Sequence, residues 1–96
     1  MSREEIFRSL HEVRLELQRR GVRSLAVFGS VALGNSSPES DLDVLVEFDR
    51  PVGLFDFMRL KFYLEQVVGC QVDLVTAEAL RPALRDRILG EAIYVR

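Results

Sequence analysis

The stretch "SLAVFGSVALGNSSPESDLDVLVEF", residues 24–48, decides how this chain folds. Its first five residues are apolar and rich in strand formers, and they stop abruptly at Gly29, as a buried central strand does. Between Gly29 and Gly34 there is room for only a turn or so of helix, and "NSSPES", 35–40, has the composition of a loop. "DLDVLVEF", 41–48, then alternates: Leu42, Val44, Val46 and Phe48 fall on one side, Asp41, Asp43, Leu45 and Glu47 on the other. This pattern predicts a second strand that carries two carboxylates on one face.

Working outward, Ser2 and Glu5 have the form of a capping box, and Ile6, Leu10, Val13 and Leu17 recur at helical spacing until Gly21. The spacing predicts a helix over 3–20, with Arg19 and Arg20 in its last turn favouring the negative helix end. Downstream, "RPVG" breaks the strand and 54–68 reads as a helix ended by Gly69. Its expected inward stripe is Leu54, Met58 and Phe62, widened by Phe57, Leu64 and Val68, with the phenylalanines in the core. "CQVDLV", 70–75, is a third strand, apolar except for Gln71 and Asp73. Thr76 is placed to cap a last helix over 77–90, with Leu80, Leu84, Ile88 and Leu89 inward, before "EAIYVR" closes as a short strand. The order predicts a single α/β (α+β) domain over 1–96, with helices packed on a small mixed sheet.

Composition narrows the function. A chain of 96 residues supports one core, and 48% hydrophobic with 29% charged residues is ordinary globular usage. No apolar run is long enough for a bilayer span, and the opening residues lack the apolar centre of a secretion signal, so a cytoplasmic protein is expected. Cys70 and His11 are the only residues of their kinds, which excludes a disulfide framework and a thiolate metal cluster. Cys70 reads as a small buried residue and His11 as part of a solvated helix face. A net charge of -2 argues against holding nucleic acid by bulk electrostatics.

Asp41 and Asp43, two positions apart on a strand, leave the same face about 7 Å apart at the backbone. Unpaired, they would repel, and a cation between them relieves the repulsion. Oxygen donors alone point to Mg²⁺ or Mn²⁺ rather than zinc. Asp73 is the natural third ligand if its strand pairs beside theirs, and three acids around one or two metals is the layout of phosphoryl and nucleotidyl transfer. Gly29, opening a short helical turn after a strand, would let a phosphate approach backbone N–H groups, and Ser30 would add a hydroxyl donor. Glu47 lies further along the aspartate face and is expected in a peripheral salt bridge.

Gly29-Ser30, ten intervening residues, Asp41-x-Asp43 and then Asp73 in a later apolar strand resemble the nucleotidyltransferase superfamily that includes DNA polymerase β. The small size resembles its minimal branch, the MNT proteins. The resemblance implies the nucleotidyltransferase fold. It also implies that Asp41 and Asp43 bridge two Mg²⁺ ions, that Asp73 ligates one and helps activate the attacking hydroxyl, and that Gly29 and Ser30 hold the β- and γ-phosphates of ATP. It further implies an antitoxin that transfers AMP to a tyrosine of a HEPN-type toxin partner, in a hetero-oligomer; no membrane partner is expected, and neither the chain length nor the charge provides the surface that a nucleic-acid acceptor would need. The competing expectation is a non-catalytic antitoxin that masks its HEPN partner by contact alone. One departure favours the competitor: many MNT members read "GSxARG" where this chain reads "GSVALG", so Leu33 stands in the place of an arginine. Arg23, Arg81 and Arg85 are cations that could replace it.

Overall fold

The computed structural model describes residues 2–29 and 41–95. Helix α1 (Arg3–Glu12) starts at Ser2, whose hydroxyl accepts the Glu5 N–H at 3.2 Å, as the capping-box reading requires. The expected single helix over 3–20 is broken at Val13, where the Val13 N–H tightens onto the Leu10 carbonyl at 3.3 Å, an i to i−3 bond. α2 (Arg14–Arg19) then carries Leu17 into the core, and Gly21, at φ +86°, turns the chain into β1 (Val22–Phe28). β2 (Leu42–Phe48), α3 (Leu54–Val68), β3 (Val72–Thr76), a 3₁₀ turn at Ala77–Ala79, α4 (Pro82–Glu91) and β4 (Ile93–Tyr94) complete the order.

The four strands form one sheet in the order β3-β2-β1-β4. β1 pairs antiparallel with both β2 and β4, while β2 and β3, joined by the α3 crossover, run parallel, so the sheet is mixed as expected. One face of the sheet, with Leu25, Val27, Val44, Val46, Val72 and Leu74, packs against Ile6 and Leu10 of α1, Leu17 of α2, and Leu60, Leu64 and Val68 of α3. The alternate residues Ala26 and Leu45 are buried outside that cluster, on the face that Asp43 and Asp73 share.

Two expectations about helices are corrected. In α3 the inward stripe is Leu60, Leu64 and Val68, with Phe57 half-buried beside it; Leu54, Phe55 and Phe62 are exposed, so the phenylalanines are not uniformly core. The segment contains several apolar stripes at i, i+4 spacing, and the sheet selects one of them. The helix expected over 77–90 begins only at Pro82, because a residue before proline is pushed out of the helical region and Arg81 is extended, at φ −61° and ψ 143°. Leu84 and Leu89 of α4 are exposed rather than inward, with Leu80 and Ile88 half-buried. Cys70 is half-buried, and Glu47 forms the expected peripheral ion pair, with Arg23.

Candidate active site

The site is built at one end of the sheet, where β1 stops and β2 and β3 start. Pairing in the ladder sets Phe28 opposite Asp43 and, on the other side, Asp43 opposite Asp73. Asp41 immediately precedes β2, whose first N–H, from Leu42, donates to the Gln71 carbonyl at 2.9 Å. Backbone hydrogen bonding thus brings together three acids that are separate in sequence, as the reading of β2 and β3 required.

Their electrostatics follow from that placement. Asp43 is half-buried, and its carboxyl is pushed above the usual carboxylate range, first by burial and then by the neighbouring charges of Asp73 and Asp41. Among the described residues no ion pair engages any of the three, whereas Glu47, Asp49 and Asp56 each hold an arginine. Asp41, Asp43 and Asp73 are all oxygen donors, the type that a hard divalent ion takes. Among the described residues no group of three or more His, Cys, Asp or Glu side chains is placed to hold a metal ion, so the three aspartates do not form a metal site as they stand.

Gly29 has a tighter role than phosphate access. It sits at φ +74°, and a Cβ there would lie 2.2 Å from Asp43 Oδ2 and 3.1 Å from its Cγ. The Asp43 carboxylate occupies the space that any other side chain would take, so Gly29 is what allows that carboxylate to point into the site. Ser30 and Leu33 lie outside the described residues.

Sequence reading missed Glu65. Its carboxylate accepts the Val72 N–H at 3.0 Å, which satisfies a donor at the open edge of β3 one residue before Asp73, and lies 3.6 Å from Lys61 Nζ. An acid within the apolar run "YLEQVV" was the available signal. Glu65, Lys61 and Phe62 line an open cleft of about 850 Å³ that also includes Asp41, Asp73 and Cys70. Burial, and then the charges of Asp41 and Glu65, hold the Cys70 thiol above its ordinary range.

This geometry can be set beside known proteins. Residues 10–95 match the nucleotidyltransferase domain family. The protein adenylyltransferase MntA of Thermococcus cleftensis is 40% identical over 93 residues, covering 96% of this chain and 94% of its own. A solved structure of a candidate minimal nucleotidyltransferase is 42% identical, with a TM-score of 0.84, and covers 97% of this chain and 95% of the other. The fold also matches a toxin-antitoxin complex solved with AMP-PNP, at a TM-score of 0.72 and 19% identity over 90% of this chain and 72% of the other. It likewise matches a Shewanella oneidensis complex of an MNT antitoxin with a tri-AMPylated HEPN toxin, at a TM-score of 0.66 and 15% identity over 94% and 71%. The aspartates paired across β2 and β3, the glycine seated against one of them and the match across nearly the whole chain have one explanation: the protein belongs to the nucleotidyltransferase family, in its minimal MNT branch.

Proposed function

We propose that the chain transfers AMP from ATP to a tyrosine hydroxyl of a HEPN-type toxin and thereby acts as its antitoxin, in the cytoplasm and in complex with that partner. The observation that carries the reading is the ladder register setting Asp43 against Asp73 beside Gly29, within a family whose close relative is named a protein adenylyltransferase. The partner is suggested by the fold neighbours, which are complexes of MNT and HEPN proteins. Among the described residues no helix is long and apolar enough to cross a membrane.

Asp41, Asp43 and Asp73 would hold Mg²⁺, one or two ions, and the metal supplies charge neutralisation at the entering and leaving oxygens. The chain's own groups do the rest. Gly29, with Ser30, binds the β- and γ-phosphates through backbone N–H and hydroxyl donors, which orients the α-phosphorus toward the acids. Asp73, exposed at the edge strand, receives the proton of the tyrosine hydroxyl. The tyrosine oxygen bonds to the α-phosphorus as the bond from phosphorus to the α–β bridging oxygen breaks, and pyrophosphate leaves with that electron pair.

The test is incubation with ATP labelled at its α-phosphate, Mg²⁺ and the HEPN-type protein of the same genome. Label on a tyrosine of the partner, absent with Asp41→Asn or Asp43→Asn, is the expected result. Neutralisation of the toxin without label, unchanged in both variants, would replace the transferase with a contact-only antitoxin.

A further inference from the structure

Asp43 and Asp73 are not held alike. Asp43 stands in a central strand, paired through the ladder with Phe28 on one side and Asp73 on the other, and its carboxylate is seated against Gly29. Asp73 is exposed on β3, an edge strand bonded to β2 alone among the described strands. Among the described residues its carboxylate makes no hydrogen bond or ion pair, so the β3 backbone fixes where it stands. The outer flank of an edge strand frays first, and a misplacement of ~1 Å at a reacting group costs on the order of 10²-fold in rate. We propose that Glu65 is the positioning residue for Asp73, supplying from α3 the outer bond that the sheet edge lacks. The proposal rests on the transfer reading above, in which Asp73 receives the acceptor's proton, and adds what keeps that base in place.

Two contacts of this one residue carry it. The Glu65 carboxylate accepts the Val72 N–H at 3.0 Å, a part-buried, charge-assisted bond to the residue just before Asp73. The Glu65 main-chain carbonyl accepts the Gly69 N–H at 2.8 Å, the bond that closes α3 as Gly69 turns through φ +72°. Glu65 therefore holds both ends of the connection 69–71, while the Gln71 carbonyl accepts the Leu42 N–H of β2 at 2.9 Å. The start of β3 is tied to β2 on one flank and to α3 on the other. α3 is a firm anchor, because Leu64, next to Glu65, is fully buried in the core with Leu60 and Val68. Lys61, 3.6 Å from the same carboxylate at i, i+4 spacing, adds little, as surface pairs of this kind do. The work of the Glu65 side chain is to accept a hydrogen bond rather than to carry charge.

Glu65→Gln keeps an acceptor oxygen at the same reach and drops the charge, whereas Glu65→Ala removes both. Ile6→Val, a core truncation in α1, controls for lost stability alone. Each is made in the full chain and assayed with ATP, Mg²⁺ and the HEPN-type protein of the same genome, well below every variant's melting temperature. The expected result is a fall of roughly tenfold in kcat for Glu65→Ala, with the KM for MgATP little changed, and recovery to within about twofold of the parent in Glu65→Gln. Hydrogen exchange needs neither ATP nor partner: the Val72 amide should exchange roughly tenfold faster in Glu65→Ala, and at the parent rate in Glu65→Gln and Ile6→Val. Parent-level kcat in Glu65→Ala despite a lower melting temperature overturns the assignment. So does the same fall in kcat in Ile6→Val, or a Glu65→Gln that behaves as Glu65→Ala. A parent that transfers no AMP while its Val72 amide is protected as expected overturns the transfer reading, and with it the role of Glu65 in the reaction.

Discussion

Gly29→Ala tests the link between backbone and site most directly. Placing alanine at φ +74° costs about 1 kcal/mol in the left-handed region. The new methyl would also lie 2.2 Å from Asp43 Oδ2, well inside contact distance, so the carboxylate must leave its rotamer at a further cost of about 0.5–1.5 kcal/mol. The sum, about 1.5–2.5 kcal/mol, corresponds to a fall of roughly 6–20 °C in Tm for a domain of this size. Gly69→Ala is the control: Gly69 sits at φ +72° with nothing within 4 Å of a built Cβ, so it should lose only the backbone share, about 4–8 °C. Thermal melts in EDTA of both variants, and of Gly29→Ala combined with Asp43→Ala, separate the two costs. The double variant should recover the clash share and show a coupling of about 1 kcal/mol between the sites. Mg²⁺ uptake should fall in Gly29→Ala and not in Gly69→Ala. Equal melting losses for the two glycines, with strict additivity in the double variant, would refute the claim that Gly29 exists to make room for Asp43.

Asp43→Asn should raise the Tm of the metal-free protein at neutral pH, by a few degrees at most given solvent screening, while removing the stabilisation that Mg²⁺ gives the parent. The pH dependence has a definite sign: the folded-state pKa of Asp43 is raised, so the folded state binds the proton more readily than the unfolded state. The parent therefore loses stability as pH rises through that interval and regains it on acidification, and the gap to Asp43→Asn should close as pH falls. Glu65→Ala leaves the Val72 N–H at the sheet edge without its partner and should cost about 1–2 kcal/mol in denaturant melts. Leu64→Ala, at a position with 0% exposure between α3 and the sheet, should cost about 2–5 kcal/mol, whereas Phe55→Ala, 80% exposed, should leave the melting curve unchanged.

The alternation in 41–48 and the isolated Asp73 made the acids legible in the sequence, because period-two patterning fixes which face a strand residue occupies. The pairing of β3 beside β2 was inferable only as a condition, since hydrogen-bond register is a tertiary choice. Rotation of α3 was not legible: Leu54, Met58 and Phe62 are as apolar and as well spaced as Leu60, Leu64 and Val68, and only contact with the sheet separates them. The break at Val13 left no marker, whereas Pro82 was a marker left unused in placing the last helix. Gly29 was recognised as special but for access by a ligand, because a carboxylate filling the volume of an absent Cβ has no signature in one dimension.

The parallel pairing of β2 with β3 has a wider consequence. Because Asp43 and Asp73 stand opposite each other in one ladder, their backbone separation is a strand spacing, about 4.8 Å, set by peptide geometry rather than by how side chains settle around them. Helices on the far face can be resurfaced, swapped or loosened by heat, and the ruler between the two acids keeps its length until the ladder itself opens.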